Sequence, residues 1–557
     1  MTVPFGEPAA AAVARLGSRY HSAYFASDPL AATADGVPGY DDEMPDPSRD
    51  ARDRVANELG AIADELATVD DGALAGEDWL SHQILARLLR YEHDARVHGL
   101  EEVAVTASVA GAFPGIVGIV PLANVSTPDG AQAYLSRLAK VGEFFDRLGS
   151  RHVQAAAEGR VPTALGVQQA IDQIEGYLST PLHADALLQP ASGSVQAAAA
   201  ELVSGLVRPA LARHRDILAD RLLPVGRGDG QVGVCHIPGG AEGYRSAVRR
   251  HTTTELSPDE IHRMGKDLVA QLRVEFAERG ERVLGTGDVG EVLRRLRDDP
   301  SLRFRAGSEI VATVTDALRR AEQAVPDWFR PYDIAPCVVR EMDPAEAANS
   351  VLGYYLAPAA DGSRPGAHVI NTLDPHLRPR FEYEALAFHE SVPGHHLQIG
   401  TAQRMADLPE FRRFAYLTAH GEGWGLYAER LSDEMGLYSD DLARLGMVSF
   451  DAWRACRLVV DTGMHYHGWS RQQAIDYMRD NSALSDVNIA NEVDRYIADP
   501  GQALGYMIGR IRLRELRDRC RAHSGEAIKT FHHEVLSHGT LPLDTLDVQL
   551  SRVFPTG

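Results

Sequence analysis

The sequence predicts a mostly α-helical protein with one small β-sheet placed immediately before a histidine-rich helix. Apolar residues recur at helical spacing through most of the 557-residue chain. Only residues 331–372 carry short runs typical of strands, bounded by turn-forming residues. The helical pattern returns at Phe381 and continues almost to the end of the chain. A chain of this length can bury a large core.

The individual elements follow from local signals. In the segment 52–69, an apolar stripe begins at Val55 and repeats four and seven residues later. Ser257 is a predicted N-cap, Pro258 suits the first helical position, and Glu260 completes a capping box. The predicted helices are 52–69, 80–98, 131–159, 164–178, 195–223, 258–296 and 307–325; the strands are 337–341, 351–356 and 368–371; a wrapping loop is predicted at 26–48.

Charge, hydropathy and cysteine usage exclude several classes of protein. The formal net charge of −22 argues against nucleic acid or an anionic membrane surface as a partner. The most apolar stretch, 109–125, is broken by Pro114 and Pro121 and is too short to span a bilayer. Four widely spaced cysteines without a CxxC pair indicate free thiols in a reducing compartment. Without a signal-peptide pattern, we expect a cytoplasmic protein.

The segment HESVPGHHLQ at residues 389–398 indicates a metal site. A His-Glu pair on a helix, followed by further histidines, resembles the zincin pattern, in which the Glu polarises a bound water. The spacing is not HExxH, because position 393 is proline. His395 and His396 reach the same metal as His389 only if Pro393-Gly394 distorts the helix. The second ligand therefore remains open between these two histidines.

A third ligand is predicted in the motif HGEGWGLYAE. Glu422 follows His395 by 27 residues, a spacing that suits two antiparallel helices joined by a loop. Glu429 lies on the same helical face and is expected to support a ligand. An isolated glutamate would more often cap or salt-bridge a helix. After the histidine motif, we favour Glu422 as a ligand.

These motifs resemble a known family. FHESVPGHHLQ, HGEGWGLYAE, VVDTGMHYHGWSRQQAIDYM and ADPGQALGYMIG look like the bacterial proteins grouped as domain-of-unknown-function family 885. That family is similar to helical, glutamate-liganded zinc metallopeptidases. The resemblance implies a metallopeptidase-like helical body with a deep cleft. It also implies Zn²⁺ ligands His389, His395 or His396, and Glu422, with Glu390 as general base.

The resemblance covers nearly the whole chain. Residues 1–557 are therefore expected to form one family-wide unit, with an N-terminal helical part at about 1–330 and a catalytic part at 331–557. In related peptidases a downstream Tyr or His stabilises the oxyanion, and Tyr506 and His465 are the candidates here. Asp461 is four residues before His465 and could orient it, clamp substrate or make a buried polar contact.

Several polar residues near the predicted strands are candidates for substrate binding. Arg364 could bind a substrate carboxylate or stabilise its own turn. Tyr355 and Asn371 belong to a segment that is expected to line the cleft, where an edge strand could pair with an extended peptide. Arg495 is a weaker candidate of the same kind.

The leading hypothesis is a zinc-dependent metallohydrolase that cleaves a peptide or peptide-like amide bond. A pathway-specific metal enzyme acting on a small-molecule amide or another metabolite is a second hypothesis. A non-catalytic helical binding protein that retains the motif is the third. Zn²⁺ is the expected metal, although another divalent ion would suit the ligands. The substrate and the choice between monomer and homodimer stay open.

Overall fold

The computed structural model describes residues 7–108, 111–343, 347, 352–358 and 365–555. The mostly helical prediction and the small sheet are confirmed. The chain divides into two compact units, which differ from the predicted division near residue 330. The first comprises the chain up to Ala247, Gly463–Ala474 and Asn491–Pro500; the second comprises Val248–Thr462, Ile475–Ala490 and the chain from Gly501 onward.

The first ten helices lie mainly in the first unit. Four of them, α3, α4, α6 and α7, match predicted segments to within a few residues, and the predicted helix 195–223 corresponds to α8 and α9 together. Their bounds are α1 Ala9–Ser27, α2 Pro29–Asp35, α3 Arg49–Leu66, α4 Gly76–His98, α5 Ala112–Ile119, α6 Pro128–Ala157, α7 Ala164–Ser179, α8 Gly193–Leu202, α9 Arg208–Ile217 and α10 Gly240–Thr252. Two π-helical segments, Val203–Val207 and Leu218–Leu222, continue α8 and α9.

A stripe on α6 builds the core of the first unit. Tyr134, Leu138, Val141 and Phe145 are fully buried, three or four residues apart. Part of the predicted loop at 26–48 is helical, since Asp28 caps α2 by accepting a hydrogen bond from the Ala31 amide. An Asp N-cap followed by proline is a helix start, and here it outweighs the glycines that follow.

The remaining helices are carried mainly by the second unit. The capping box at the start of α11 is confirmed. The bounds are α11 Pro258–Leu284, α12 Val289–Asp298, α13 Gly307–Trp328, α14 Tyr383–Glu390, α15 His395–Gln403, α16 Glu410–Arg413, α17 Thr418–Glu434, α18 Asp441–His465, α19 Arg471–Asn481, α20 Asp486–Ala498, α21 Leu504–Arg519, α22 Gly525–Leu536 and α23 Leu543–Val553.

Three strands form the small sheet of the second unit. They are β1 Cys337–Glu341, β2 Gly353–Leu356 and β3 Gly366–Ile370, in the order β1-β3-β2. β3 runs parallel to β1 and antiparallel to β2, and all five of its residues are buried. The strand that leads to Asn371 is therefore central, and β2 is the edge strand on the side of β3 away from β1.

Helices α17 and α21 cross at unusually close range. A Cβ atom on Gly423 would lie 2.5 Å from Cα of Gly509, so neither position has room for a side chain. This crossing brings α17 into the interior, where most of its residues are buried. The glycines of the HGEGWG motif thus have a packing reason.

Two sequence expectations, on membrane-spanning segments and on the cysteines, bear on the cellular compartment. In the part of the chain that the structure describes, no helix is both long and apolar enough to cross a bilayer. The four cysteines are free thiols, as expected; Cys337 and Cys456 are buried, and Cys235 and Cys520 are half-buried.

Candidate metal centre

The helix that carries the HESVPGHHLQ motif is broken in the middle. Helix α14 ends at Glu390, and α15 begins at His395. The predicted distortion at Pro393-Gly394 is confirmed as a full break, with a cis peptide bond between Val392 and Pro393. The indole Nε1 of Trp424 donates to the carbonyls of Pro393 (2.9 Å) and Gly394 (3.3 Å) and so holds the turn between the helices.

The break brings three potential ligands together. His389 Nε2 and His395 Nε2 lie 3.6 Å and 3.5 Å from the same oxygen, Oε2 of Glu422. Among the described residues, these three form the cluster with metal-ligand spacing, their donor atoms all lying within 4.8 Å of one another. Two ligands at about 2.1 Å from a tetrahedral zinc are about 3.4 Å apart. The spacing of the donor atoms therefore fits one zinc ion.

Hydrogen bonds from the far side orient both histidines. His389 Nδ1 donates to Glu429 Oε1 at 2.8 Å, and this contact turns Nε2 of the ring towards Glu422. His395 Nδ1 donates to Gln398 Oε1 at 3.3 Å. A Cβ atom on residue 425 would lie 2.5 Å from Cε1 of His389, so Gly425 provides the space for this ring. Glu429 lies where the sequence predicts a supporting residue.

Tyr416 is a member of the site that the sequence did not predict. Its hydroxyl donates to Oε1 of Glu422 at 2.9 Å, which leaves Oε2 for the two histidines. Tyr416 as a whole is 59 % exposed, but its hydroxyl end is desolvated, and this raises the pKa of the phenol well above its usual value. The neighbouring Glu422 and Tyr506 raise the pKa further. Tyr416 lies in the loop before α17, outside any motif.

His396 does not fit as a ligand. Its Nε2 donates to the carbonyl of Ala335 at 2.9 Å, and its Nδ1 accepts from the hydroxyl of Tyr355 at 3.1 Å. Both ring nitrogens are therefore engaged away from Glu422. Of the two alternatives left open by the sequence, the geometry fits His395. The predicted substrate residue Tyr355 is a partner of His396.

The charges of the cluster are strongly coupled. Burial would lower the pKa of His389, but the carboxylates of Glu422 and Glu429 outweigh it and raise the pKa to about 10. Burial would raise the pKa of Glu422, but hydrogen bonds with His389 and His395 hold it well below its usual range. The pKa of half-buried Glu390 is raised by burial, in part offset by the two histidines. Glu422 is thus an anion facing both imidazoles.

Tyr506 lies near this cluster, on α21. The two phenols are close enough that ionisation of Tyr506 would raise the pKa of Tyr416. The guanidinium carbon of Arg457 lies 4.3 Å from the centre of the Tyr506 ring. The role of Tyr506 at an oxyanion stays a prediction.

His465 does not fit the predicted catalytic role. It belongs to the first unit, where its Nδ1 accepts from the Val234 amide (3.1 Å) and its Nε2 donates to the Tyr496 carbonyl (2.9 Å). Burial lowers the pKa of His465 to about 4, so the ring is neutral and fully used by the backbone. Asp461 accepts from the amide of Gly501 with both oxygens (3.2 Å each). The predicted orienting of His465 by Asp461 is replaced by backbone contacts.

The other predicted substrate residues have structural partners or lie outside the described part. Asn371 is fully buried, and its side-chain amide donates to the carbonyl of Ala347 at 2.7 Å. Arg495, in the first unit, pairs with Glu492 at 3.1 Å. Arg364 lies outside the described residues.

Fold and site together define a class of helical proteins in which a broken helix and a crossing helix assemble a His-His-Glu cluster. The chain belongs to the family described as "Bacterial protein of unknown function (DUF885)", which matches residues 29–550. The resemblance to this family is thereby confirmed. No curated protein matches the chain.

Two solved structures are similar over almost the whole chain. The "putative lipoprotein from Colwellia psychrerythraea" is 26% identical, with a TM-score of 0.89 over 98% of this chain and 99% of that one. The "putative lipoprotein of unknown function from Shewanella oneidensis" is 17% identical, with a TM-score of 0.75 over 96% of this chain and 99% of that one. The second likeness concerns the fold alone. Neither the family description nor these titles names an activity.

Proposed function

We propose that this protein is a zinc-dependent metallohydrolase that cleaves a peptide or peptide-like amide bond. The observation that carries the proposal is the common approach of His389 Nε2 and His395 Nε2 to one oxygen of Glu422, at 3.6 Å and 3.5 Å. The carboxylate of Glu429 behind His389 adds the hydrogen bond that metal-binding imidazoles commonly make.

His389, His395 and Glu422 would hold the ion. A bound zinc ion supplies Lewis-acid polarisation and lowers the pKa of a bound water to about 7. Three protein ligands leave a fourth position for water or substrate, as is typical of catalytic rather than structural zinc sites. The donor set of two imidazoles and one carboxylate also suits zinc, and the cysteines take no part in it.

Glu390 would act as the general base. It follows His389 directly, at the end of α14, and it is half-buried beside the cluster. Its carboxylate would take a proton from the attacking water and then give that proton to the leaving amine nitrogen as the C–N bond breaks. Tyr506 is the proposed donor to the developing oxyanion, and Tyr416, which already donates to Glu422, would keep that ligand oriented.

A substitution that separates metal binding from chemistry tests the function. Glu390→Gln should keep the zinc content measured by plasma mass spectrometry, while hydrolysis of a peptide library should fall by about 10²- to 10⁴-fold. Glu515→Gln, at an exposed position of α21, is the matched control and should retain both. The proposal would be refuted if wild-type protein purified from zinc-supplemented cells contained no metal, or if Glu390→Gln hydrolysed peptides as fast as the wild type.

The expected compartment belongs to the same proposal. Four free thiols suit a reducing environment, and we therefore propose that the enzyme works in the cytoplasm. Alkylation of the native protein in permeabilised cells, with and without prior reduction, would test this. Thiols that react only after reduction would contradict it.

A further inference from the structure

A cavity of about 460 Å³ lies within the second unit, behind the helix that carries His395. Its walls are the segment 329–334 between α13 and β1, one face of α15, and the end of α22. Leu397 and Thr401 supply the α15 face, one turn apart. His395 precedes Leu397 by two residues and is therefore rotated by about 200° around the helix axis. The cavity is thus separate from the metal centre, and its volume is typical of small-molecule sites.

The floor of this cavity is apolar and held in place. Phe329 is buried, and its ring stacks on that of His532 with the ring centres 4.4 Å apart. His532 is fixed in turn, because its Nδ1 donates to the carbonyl of Trp328 and its Nε2 accepts from the hydroxyl of Tyr427, both at 2.9 Å. Buried Leu536 extends the same floor from α22. A preformed apolar floor favours a ligand with an apolar group, which gains free energy by leaving water.

Two polar groups at the rim have their charge settled within the chain. Arg330 pairs with Glu526 at 3.0 Å and donates to the hydroxyl of Thr530 at 2.8 Å. Desolvation lowers the pKa of His533, and the positive charge of Arg330 lowers it further, so that this imidazole is neutral at neutral pH. Neither group therefore decides the charge of a ligand.

The other two charged groups of the rim, Arg404 and Asp333, form a loose pair with each other. Nη2 of Arg404 lies 3.8 Å from Oδ2 of Asp333, which is longer than a hydrogen bond, and the two side chains are 60% and 95% exposed. An exposed pair of this kind contributes little to stability, so a ligand can take the place of either partner at small cost. The mouth of an apolar cavity thus carries one positive and one negative group side by side.

We propose that this cavity binds a free apolar amino acid, with its carboxylate on Arg404, its ammonium group on Asp333 and its side chain on the floor at Phe329. An amino acid carries both charges on one carbon atom, next to its side chain, and so matches the neighbouring opposite charges of the rim. A simple organic acid would meet the repulsion of Asp333, and a simple amine that of Arg404. The site lies apart from the metal centre, and the inference does not depend on the metallohydrolase function.

Equilibrium dialysis of the full-length protein against radiolabelled L-phenylalanine tests the proposal. Unlabelled competitors each lack one feature of the ligand: phenylpropionate has no ammonium group, phenethylamine has no carboxylate, and glycine has no apolar side chain. None of them contains an amide bond that the proposed hydrolase could cleave. We expect phenylalanine to bind about 2- to 5-fold more tightly than either singly charged analogue, since each lacks one exposed ion pair. It should bind at least about 10-fold more tightly than glycine, which buries no side chain.

Substitutions at the rim and the wall assign each preference to a residue. Arg404→Gln should bring phenylalanine and phenethylamine to equal affinity, because the carboxylate then has no charged partner. Asp333→Asn should do the same for phenylalanine and phenylpropionate. Thr401→Trp, at a half-buried position of the α15 face, should fill the cavity and abolish binding. Arg282→Gln is the matched control, since Arg282 forms a similar exposed pair with Asp441 at 3.5 Å, and it should leave every ratio unchanged.

The outcomes are decisive for this cavity and separate it from the metal centre. No saturable binding of phenylalanine, or equal affinity for phenylalanine and both singly charged analogues, overturns the inference. Binding that persists unchanged in folded Thr401→Trp places the ligand elsewhere, at the metal for example, and also overturns it. If Thr401→Trp does not fold, the two exposed rim variants decide, and ratios equal to those of Arg282→Gln refute the assignment. Each of these results leaves the metallohydrolase proposal standing.

Discussion

The hydrogen bond between His389 and Glu429 gives the sharpest test of the metal centre. Glu429 is fully buried on α17, and its Oε1 accepts from His389 Nδ1 at 2.8 Å. Its other oxygen, Oε2, is buried and has no hydrogen-bond partner among the described residues. Glu429→Gln keeps an acceptor for His389 but removes the negative charge. It also places an amide N–H₂ at the position of Oε2, where no hydrogen-bond acceptor lies among the described residues.

The expected magnitude follows from this geometry. Loss of a hydrogen-bonding partner behind a ligand usually weakens metal binding by about 10- to 100-fold, or about 1.4–2.7 kcal/mol. Glu429→Gln should fall near the lower value, because an oxygen still faces Nδ1. Glu429→Ala should approach the upper value, since the buried N–H of His389 then loses its acceptor.

A competition titration against a chromophoric zinc chelator measures this difference. Wild type, Glu429→Gln, Glu429→Ala and the exposed control Glu515→Gln are compared, with far-ultraviolet circular dichroism to check the fold. We expect the zinc affinity to fall in the order wild type, Gln, Ala, with the control equal to wild type. Equal affinities for wild type and Glu429→Ala would refute the reasoning that His389 binds the metal through Nε2 with Glu429 behind it.

Two further predictions concern packing and pH. Gly425→Ala places a methyl group 2.5 Å from His389 Cε1, and it should lower the zinc content and cost about 1–3 kcal/mol of unfolding free energy. Gly176 lies at an exposed helical position, where an added methyl group would meet no described atom within 4 Å beyond its chain neighbours and the backbone of its own helix, so Gly176→Ala should gain about 0.5–1 kcal/mol. Metal analysis and urea unfolding check both variants. Burial lowers the pKa of His214 to about 3 and that of His152 to about 4, so the unfolded chain takes up protons first, and stability that is present above pH 6.5 is lost as the pH falls towards these values. His214→Gln removes one such group and should reduce the slope of unfolding free energy against pH by about 1.3 kcal/mol per pH unit near pH 5; an unchanged slope in urea titrations would contradict the assignment.

The fold was largely accessible from sequence because its signals are local. The capping box at Ser257 and the strand Cys337–Glu341 are set by residues within a few positions of one another, and both are found where predicted. The division into units was not accessible in this way. The segments Gly463–Ala474 and Asn491–Pro500 join the first unit through contacts with distant parts of the chain, such as the Val234 amide on His465.

The site was accessible only in part, for the same physical reason. The residues His389, His395 and Glu422 carry motif spacing, but the choice between His395 and His396 depends on a turn whose carbonyls are held by Trp424, about 30 residues away. Tyr416 has no motif at all. Its contact with Glu422 exists because the loop before α17 folds back over the helix, which no periodicity encodes.

His465 illustrates the opposite error. Its position four residues after Asp461 on one helix suggested a functional pair, and i, i+4 spacing does place two side chains on one face. Spacing does not show which partner a ring nitrogen finds. Here backbone groups of Val234 and Tyr496 take both nitrogens, because a buried imidazole must satisfy its donor and acceptor wherever they meet partners.

The broken helix explains why so many residues that shape the site lie in the motif HGEGWGLYAE. In a straight helix, residues six apart are rotated by about 120° and separated by about 9 Å along the axis, yet the rings of His389 and His395 have centres 4.7 Å apart. A break that achieves this frees backbone carbonyls, which must be satisfied in the interior.

Helix α17 meets each of these needs. Trp424 binds the freed carbonyls of the turn, Gly425 leaves room for the His389 ring, Glu429 accepts from the far nitrogen of that ring, and Glu422 faces both histidines. An uninterrupted HExxH helix needs no such partner, since its two histidines already share a face. Here contacts from α17 replace the geometry that is lost where the first helix is broken between α14 and α15. The two motifs must therefore change together if the cluster is to be kept.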